Sequence, residues 1–166
     1  LVWENKKTKK YNDLLSEFLL STNKLKIFIV NIESFQSDKK TFSRKMLSKY
    51  YNTLIQDEKC FIVMDESSKI KNPKANRTKN IITASKDAVG KVIMTGTIIS
   101  ESVLDFYAQF VFLKIGFWKM KNFWMFKKRY AVLEDMYPSG GRVFKKVIGF
   151  KKVNELMDKI TPHIHI

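Results

Sequence analysis

The stretch Phe61-Ile-Val-Met-Asp65-Glu66-Ser-Ser-Lys69-Ile-Lys-Asn72 decides how the rest of this sequence is interpreted. Its first part is a short apolar run, which is the pattern of a strand buried on both faces. Two adjacent carboxylates at the end of such a strand are costly unless they have partners or a chemical task. The stretch therefore predicts a functional strand end at Asp65 and Glu66, and the alternative is a solvated Asp-Glu turn.

Hydrolysis of a nucleotide is a task that needs both acids. One carboxylate holds Mg²⁺, usually through water, because Mg²⁺ gives up its water ligands reluctantly. The other orients and deprotonates the water that attacks the γ-phosphate. Since neighbouring strand residues point to opposite faces, Asp65 and Glu66 can reach different targets.

A second strand-like run, Lys91-Val-Ile-Met94, ends in the polar turn Thr95-Gly96-Thr97. Gly96 permits a tight backbone there, and the two hydroxyls can hydrogen-bond to a neighbouring acid or phosphate. The alternative is an ordinary strand-to-helix turn with a serine cap.

Helical and strand-like runs alternate through most of the chain. Apolar residues at helical spacing predict helices over Tyr11–Leu19, over Phe42–Ile55, after Pro73, and after a cap at Ser100 or Ser102.

A third apolar run, Lys26–Asn31, predicts one more strand buried on both faces. Strands that alternate with helices form parallel sheets, so the predicted fold class is α/β. Ligands bind beyond the carboxyl ends of such strands. Those ends are the polar residues Asn31, Asp65 and Thr95, which indicates one shared site.

The sequence changes character after residue 114. We therefore predict an α/β lobe over residues 1–114 and an aromatic and basic helical appendage over residues 115–166. The aromatic residues from Phe117 to Tyr130 favour a packed core or packing surface over base stacking. Pro138–Gly141 predicts a turn, Arg142–Phe150 a short extended piece, and Asn154 the cap of a last helix through Ile160.

Several of these strings resemble one enzyme family. Val63–Asn72 resembles motif II of the Swi/Snf-like branch of helicase superfamily two, and Ile93–Thr97 resembles motif III. Ile29–Phe35 is similar to motif Ib of the same enzymes. Ser102–Phe110 and Phe123–Tyr130 are similar to the segments that follow motif III in the family. Gly149–Leu156 and Thr161–His163 are similar to the end of the first lobe in phage members.

The resemblance implies part of the first RecA-like (P-loop NTPase) lobe of an ATP-dependent translocase on double-stranded DNA, with ATP and Mg²⁺ as cofactors. It makes Asp65 the Mg²⁺ ligand and Glu66 the catalytic base. Thr95, Gly96 and Thr97 would contact ATP and couple nucleotide state to DNA. The resemblance also implies that Glu33 and Ser34 lie near the DNA track.

The chain departs from the family in two ways. Ile98 stands where the family has a proline, and Glu101 stands near the place of an amide, so coupling would be altered. No G-x-x-x-x-G-K-S/T string occurs among the six glycines. We therefore expect the phosphate-binding loop upstream of Leu1 and the second RecA-like lobe downstream of Ile166, and little ATP hydrolysis by this chain alone.

The formal net charge of +15 favours a polyanionic partner, although an A/T-rich genome also enriches lysine. One cysteine, no apolar stretch of about 18 residues and no signal peptide predict a cytoplasmic location, the host cytoplasm for a phage protein, and no membrane partner. His163 and His165 lack a third ligand and make a poor zinc site.

Two other functions remain open from the sequence. The chain could be a non-catalytic basic module that binds nucleic acid or a protein partner through a helicase-like fold. It could also belong to another superfamily-two machine, such as a restriction-enzyme motor subunit or an RNA helicase.

Overall fold

The computed structural model describes residues 1–4, 6, 8–21, 25–57, 60–96 and 102–165. The helices in this part of the chain are α1 (Lys9–Leu20), α2 (Lys39–Arg44), α3 (Met46–Asp57), α4 (Asn76–Ala84), α5 (Phe106–Leu113), α6 (Phe123–Tyr130) and α7 (Val153–Ile160). The strands are β1 (Phe61–Met64), β2 (Gly90–Ile93), β3 (Ala131–Met136) and β4 (Phe144–Phe150). Short 3-10 turns cover Ile32–Phe35, Ser67–Ile70, Val103–Asp105 and Thr161–His163.

The chain divides into two compact units. Unit 1 contains residues 1–62 and 74–91, and unit 2 contains residues 63–73 and 92–166. The division falls within β1 and β2. None of the helices in the described ranges is long and apolar enough to cross a bilayer.

Strands β1 and β2 pair with each other and run parallel. The N–H of Val89 donates to the carbonyl of Cys60 (3.0 Å), and the N–H of Met94 donates to the carbonyl of Met64 (2.8 Å). Both partners advance along the chain together, which is the parallel pattern. The predicted parallel sheet flanked by helices is confirmed as a small, two-stranded one within the described residues.

The prediction that Cys60–Met64 is buried on both faces is wrong. Ile62 and Met64 are buried, but Phe61 and Val63 are 60% and 55% exposed. Successive strand residues point to opposite faces, and the described elements cover only one face of this strand pair. An apolar run alone does not show whether one face or both faces of a strand are covered. The sequence therefore indicated two covered faces where the structure has one.

The prediction that residues 26–31 form a strand buried on both faces is also wrong. Ile29 forms an isolated parallel bridge with Val2, and its carbonyl accepts from the N–H of Trp3 (2.7 Å). Ile27 and Ile29 are exposed. The segment is extended, but it pairs only with the first residues of the chain among those described.

The predicted helices are found, with two changes and with one of the two predicted caps, Ser102, confirmed. The expected second helix is two helices, α2 and α3, because Lys45 adopts an extended backbone between them. Ser102 caps the turn before α5, with Asp105 completing a reciprocal capping box. The last helix begins at Val153 after a left-handed Lys152, so Asn154 is not its cap.

The aromatic residues of the C-terminal segment form the core of unit 2. Trp118, Phe126 and Tyr130 are buried with residues of α5 and α7, which confirms packing as their role. Trp124 points outward and is 43% exposed.

Helices α6 and α7 are also joined by a surface ion network. The Arg129 guanidinium donates to both carboxylate oxygens of Glu155, at 2.9 and 2.7 Å. Hydrogen bonds from Arg129, and then from Lys159, lower the pKa of Glu155 to about 2.

The C-terminal segment is not purely helical, contrary to the predicted helical appendage. Strands β3 and β4 form an antiparallel hairpin that joins α6 to α7, with a register shift between Val132 and Leu133. The predicted turn at Pro138–Gly141 closes it, with the N–H of Gly141 donating to the carbonyl of Pro138 (3.1 Å). The expected extended piece is β4, and its partner β3 was not foreseen.

Candidate functional site

The acid turn, Asp65-Glu66-Ser67, follows β1 directly and is held by one residue at the end of β2. Met94 donates its N–H to the carbonyl of Met64 (2.8 Å) and accepts from the N–H of Ser67 (3.0 Å) at its own carbonyl. These two hydrogen bonds lie on either side of Asp65 and Glu66. They fix the two acids beside Thr95, the next residue of the second chain segment.

The carboxylates of Asp65 and Glu66 both face solvent. Asp65 Oδ1 accepts from the N–H of Glu66 (2.8 Å), which tightens the turn. Glu66 Oε2 lies 2.9 Å from Lys69 Nζ, and its side chain is 64% exposed. An exposed pair of this kind contributes little to stability. Both acids are therefore accessible to a ligand.

Glu66 adopts a left-handed backbone, with φ 49° and ψ 54°. This conformation costs a residue with a Cβ roughly 1–2 kcal/mol. Strained residues of this type concentrate at functional sites, where the surrounding structure holds them in place. At this position the hydrogen bonds from Met94 and within the turn do so.

Ser67 connects the acid turn to helix α5. Its side chain is fully buried, and its Oγ donates to Oε1 of Gln109 at 2.6 Å. Gln109 is also fully buried, and its Nε2 donates to the carbonyl of Asp105 (3.1 Å). Asp105 accepts from the N–H of Ser102 in the capping box. A continuous polar path thus joins the acid turn to the start of the segment before α5.

Of the predicted coupling residues, Thr95 and Gly96 follow β2 beside the acid turn, and Thr97 lies outside the described residues. Thr95 is half-buried and Gly96 is exposed. A Cβ added at Gly96 would meet nothing within 4 Å, and its φ is not in the left-handed region. The expected backbone requirement for glycine is therefore not found in the described surroundings of Gly96.

The predicted DNA-contacting residues Glu33 and Ser34 belong to unit 1 and lie in the 3-10 turn Ile32–Phe35. Asn31 caps this turn by accepting from the N–H of Glu33 (3.1 Å). Buried Asn80 on α4 donates to the carbonyls of Phe35 and Ser37, both at 2.8 Å. Arg77, also on α4, lies 3.9 Å from Glu33 Oε1. Helix α4 thus fixes this turn.

The donor chemistry of the acid turn fits Mg²⁺ held partly by water and phosphate. Mg²⁺ is commonly bound through one or two carboxylates while its other ligands come from water and substrate. Exposed Asp65 and Glu66 offer that set. The described residues contain no group of three or more His, Cys, Asp or Glu side chains suited to hold a metal without such help.

Three residues that position the site were not singled out from the sequence: Ser67, Gln109 and Asn80. Gln109 had a signal, because it is the one amide in the otherwise apolar helix Phe106–Leu113. Ser67 and Asn80 carried no such signal, since each pairs with a segment far away in the sequence.

These features define a class of protein. The structure is a mixed α/β domain with a small parallel sheet flanked by helices, compatible with part of a RecA-like nucleotide-binding domain. The acid turn lies at the carboxyl end of a parallel strand, where ligands bind in such sheets.

The model of one family, described as the SNF2-related domain, matches residues 1–158. The chain belongs to the SNF2-related domain family. Searches of curated proteins and of solved structures give no significant match. Membership indicates an ATP-dependent motor of the helicase or translocase type, and ATPase domains of this family generally use ATP and Mg²⁺.

Proposed function

We propose that this chain supplies the magnesium-binding and water-activating acids of an ATP-dependent motor that moves along double-stranded DNA. In this proposal Asp65 holds Mg²⁺ and Glu66 accepts the proton of the attacking water. Thr95, Gly96 and Thr97 contact the nucleotide and couple its state to DNA. Bound Mg²⁺ would neutralise charge on the transferred phosphate.

One observation carries the proposal: Met94 hydrogen-bonds to both sides of the acid turn. Because of these two bonds, Asp65 and Glu66 lie next to the hydroxyl-bearing Thr95, although these residues are far apart in the sequence. A solvated Asp-Glu turn would need no such connection. The left-handed backbone of Glu66 also supports a functional site. A glutamate does not favour this conformation by itself, so the surrounding hydrogen bonds must hold it.

The DNA part of the proposal rests on charge and on the turn that contains Glu33 and Ser34. The net charge of +15 favours a polyanion. Helix α4 holds the end of the Glu33–Ser34 turn through two hydrogen bonds from Asn80. A second RecA-like lobe as partner, a phage origin and a cytoplasmic setting belong to the same proposal.

The test is ATP hydrolysis by the natural full-length protein, measured with and without duplex DNA. We expect DNA to stimulate hydrolysis, and Asp65→Asn and Glu66→Gln each to lower the rate by at least about a hundredfold. Asp87→Asn is the matched control, because Asp87 is also exposed and also lies beside a lysine. It should hydrolyse ATP at the normal rate.

Three results would contradict all or part of the proposal. Normal hydrolysis by Glu66→Gln would remove Glu66 as the base. DNA binding without any ATP hydrolysis, with or without DNA, would favour the non-catalytic basic module instead. Stimulation by RNA and not by duplex DNA would reassign the polymer on which the motor acts.

A further inference from the structure

A buried hydrogen bond joins Ser67, in the acid turn, to Gln109 on α5. It joins two fully buried polar side chains at 2.6 Å, across 42 positions of sequence. Ser67 directly follows the proposed base, Glu66. Whatever fixes Ser67 therefore limits where the backbone of Glu66 can lie.

Gln109 is itself held in place on two sides. Its Nε2 donates to the carbonyl of Asp105, one turn earlier along the chain. On the rest of α5, Phe106 and Phe110 are buried in the aromatic core of unit 2. A side chain whose helix and second hydrogen-bonding group are both fixed is preorganised to hold a partner.

Ser67 is in turn held at two points. Its backbone N–H donates to the carbonyl of Met94, and its side chain donates to Gln109. On the other side of the turn, the carbonyl of Met64 accepts from Met94. Only Asp65 and Glu66 lie between these anchors, so the chain must reverse within two residues. The left-handed Glu66 is the result.

We infer that Gln109 is a positioning residue for the proposed base, acting through Ser67 to hold Glu66 in its left-handed conformation. This inference rests on the proposed function of Glu66. Gln109 touches no reacting atom in this scheme. Its effect is on where the Glu66 carboxylate is directed, and therefore on the chemical step more than on nucleotide binding.

The same amide connects the base to the segment that follows the hydroxyl turn. Gln109 donates to the carbonyl of Asp105, and Asp105 accepts from Ser102 in the capping box. A shift of residues 102–105 would therefore reach Glu66 through two hydrogen bonds. This path gives the coupling role a physical route within unit 2.

The experiment compares Ser67→Ala, Gln109→Leu and the double variant in the natural full-length protein. We expect each single variant to lower kcat roughly ten- to a hundredfold, because a small misplacement of a catalytic group has effects of this size. KM for ATP should stay nearly unchanged, since only transition-state contacts are lost. The double variant should be no worse than the poorer single variant, because both changes remove the same bond.

Ser85→Ala is the matched control. Ser85 is also fully buried, and its Oγ donates a 2.6 Å hydrogen bond, to the carbonyl of Ile81 within α4. Ser67→Ala should lower thermal stability more than Ser85→Ala, because the buried Oε1 of Gln109 loses this donor whereas the carbonyl of Ile81 still accepts from the N–H of Ser85. Only Ser67→Ala should lower kcat, and only it should speed hydrogen exchange at the Ser67 amide, by about tenfold or more.

The outcomes separate this inference from the proposed function. If Glu66→Gln abolishes hydrolysis while Ser67→Ala and Gln109→Leu keep normal kcat, the positioning role is overturned and the base assignment stands. If Glu66→Gln hydrolyses ATP normally, the proposed function fails first. Equal loss of kcat in Ser67→Ala and Ser85→Ala would also overturn the inference, because the effect would then follow from stability alone.

Discussion

Replacing Glu66 by glycine tests whether the acid turn stores backbone strain. Glu66 has φ 49°, and two other non-glycine residues, Lys119 and Lys152, have φ 51° and 54°. Relief of a left-handed backbone should give roughly 1–2 kcal/mol. The greater freedom of glycine in the unfolded chain reduces this gain in the free energy of unfolding by about 0.4–1 kcal/mol. The expected net gain is therefore about 0–1.6 kcal/mol at each position.

Glu66→Gly also removes the ion pair with Lys69, whose two side chains are 64% and 42% exposed. Such a pair is worth about 0–1 kcal/mol, so the net gain at Glu66 should be at the lower end. Lys119 and Lys152 are exposed and form no ion pair with any described residue, so their glycine variants are matched controls. Chemical denaturation measures all three.

The three variants should differ sharply in activity. Glu66→Gly is expected to be as stable as the natural protein or slightly more stable, and yet to lose ATP hydrolysis. Lys119→Gly and Lys152→Gly should gain stability with normal hydrolysis. If Glu66→Gly instead lost more than about 1 kcal/mol while the lysine variants gained stability, the Glu66 side chain would be holding the turn, and the idea of stored strain would be refuted.

Three further predictions concern stability. Because the pKa of Glu155 in the folded protein is about 2, below its ordinary value of 4.5, its stabilising effect is present above pH 4.5 and declines as the pH falls through 2. The Tm difference between the natural protein and Glu155→Gln should therefore shrink steadily as the pH falls from 4.5 and approach zero below 2. Asn80→Ala removes two buried 2.8 Å hydrogen bonds and should cost about 1–3 kcal/mol in urea unfolding. Gly90→Ala would place a Cβ against the Phe61 ring and should lower Tm, whereas Gly96→Ala meets open space and reduces the freedom of the unfolded chain, so it should leave Tm unchanged or slightly raised; equal Tm values for both would contradict the packing at β2.

The elements that the sequence predicted best are those with a strong local signal. Helix α1 shows helical spacing of apolar residues from Tyr11 to Leu19 and is found at Lys9–Leu20. The runs before Asp65 and Thr95 are the strands β1 and β2. In each case a local pattern and the final structure agree, because the element needs little help from distant residues.

The features that the sequence did not predict depend on distant partners. Ala131–Met136 contains good helix formers and follows a helix, so its intrinsic preference does not indicate a strand. It forms β3 because it pairs with β4. The exposed face of β1 could not be read from Phe61 and Val63, because apolar residues do not reveal whether a neighbour covers them. The same holds for the site, where the pairing of Ser67 with Gln109 becomes visible only in three dimensions.

Single-turnover hydrolysis of ATP already bound to the full-length protein, in the presence of Mg²⁺, tests directly whether Glu66 is the base that activates water. We expect Glu66→Gln to bind ATP with unchanged affinity and its chemical step to slow by roughly 10²–10⁴-fold, the contribution typical of a general base. An unchanged rate of the chemical step in Glu66→Gln would contradict the assignment of Glu66 as the base.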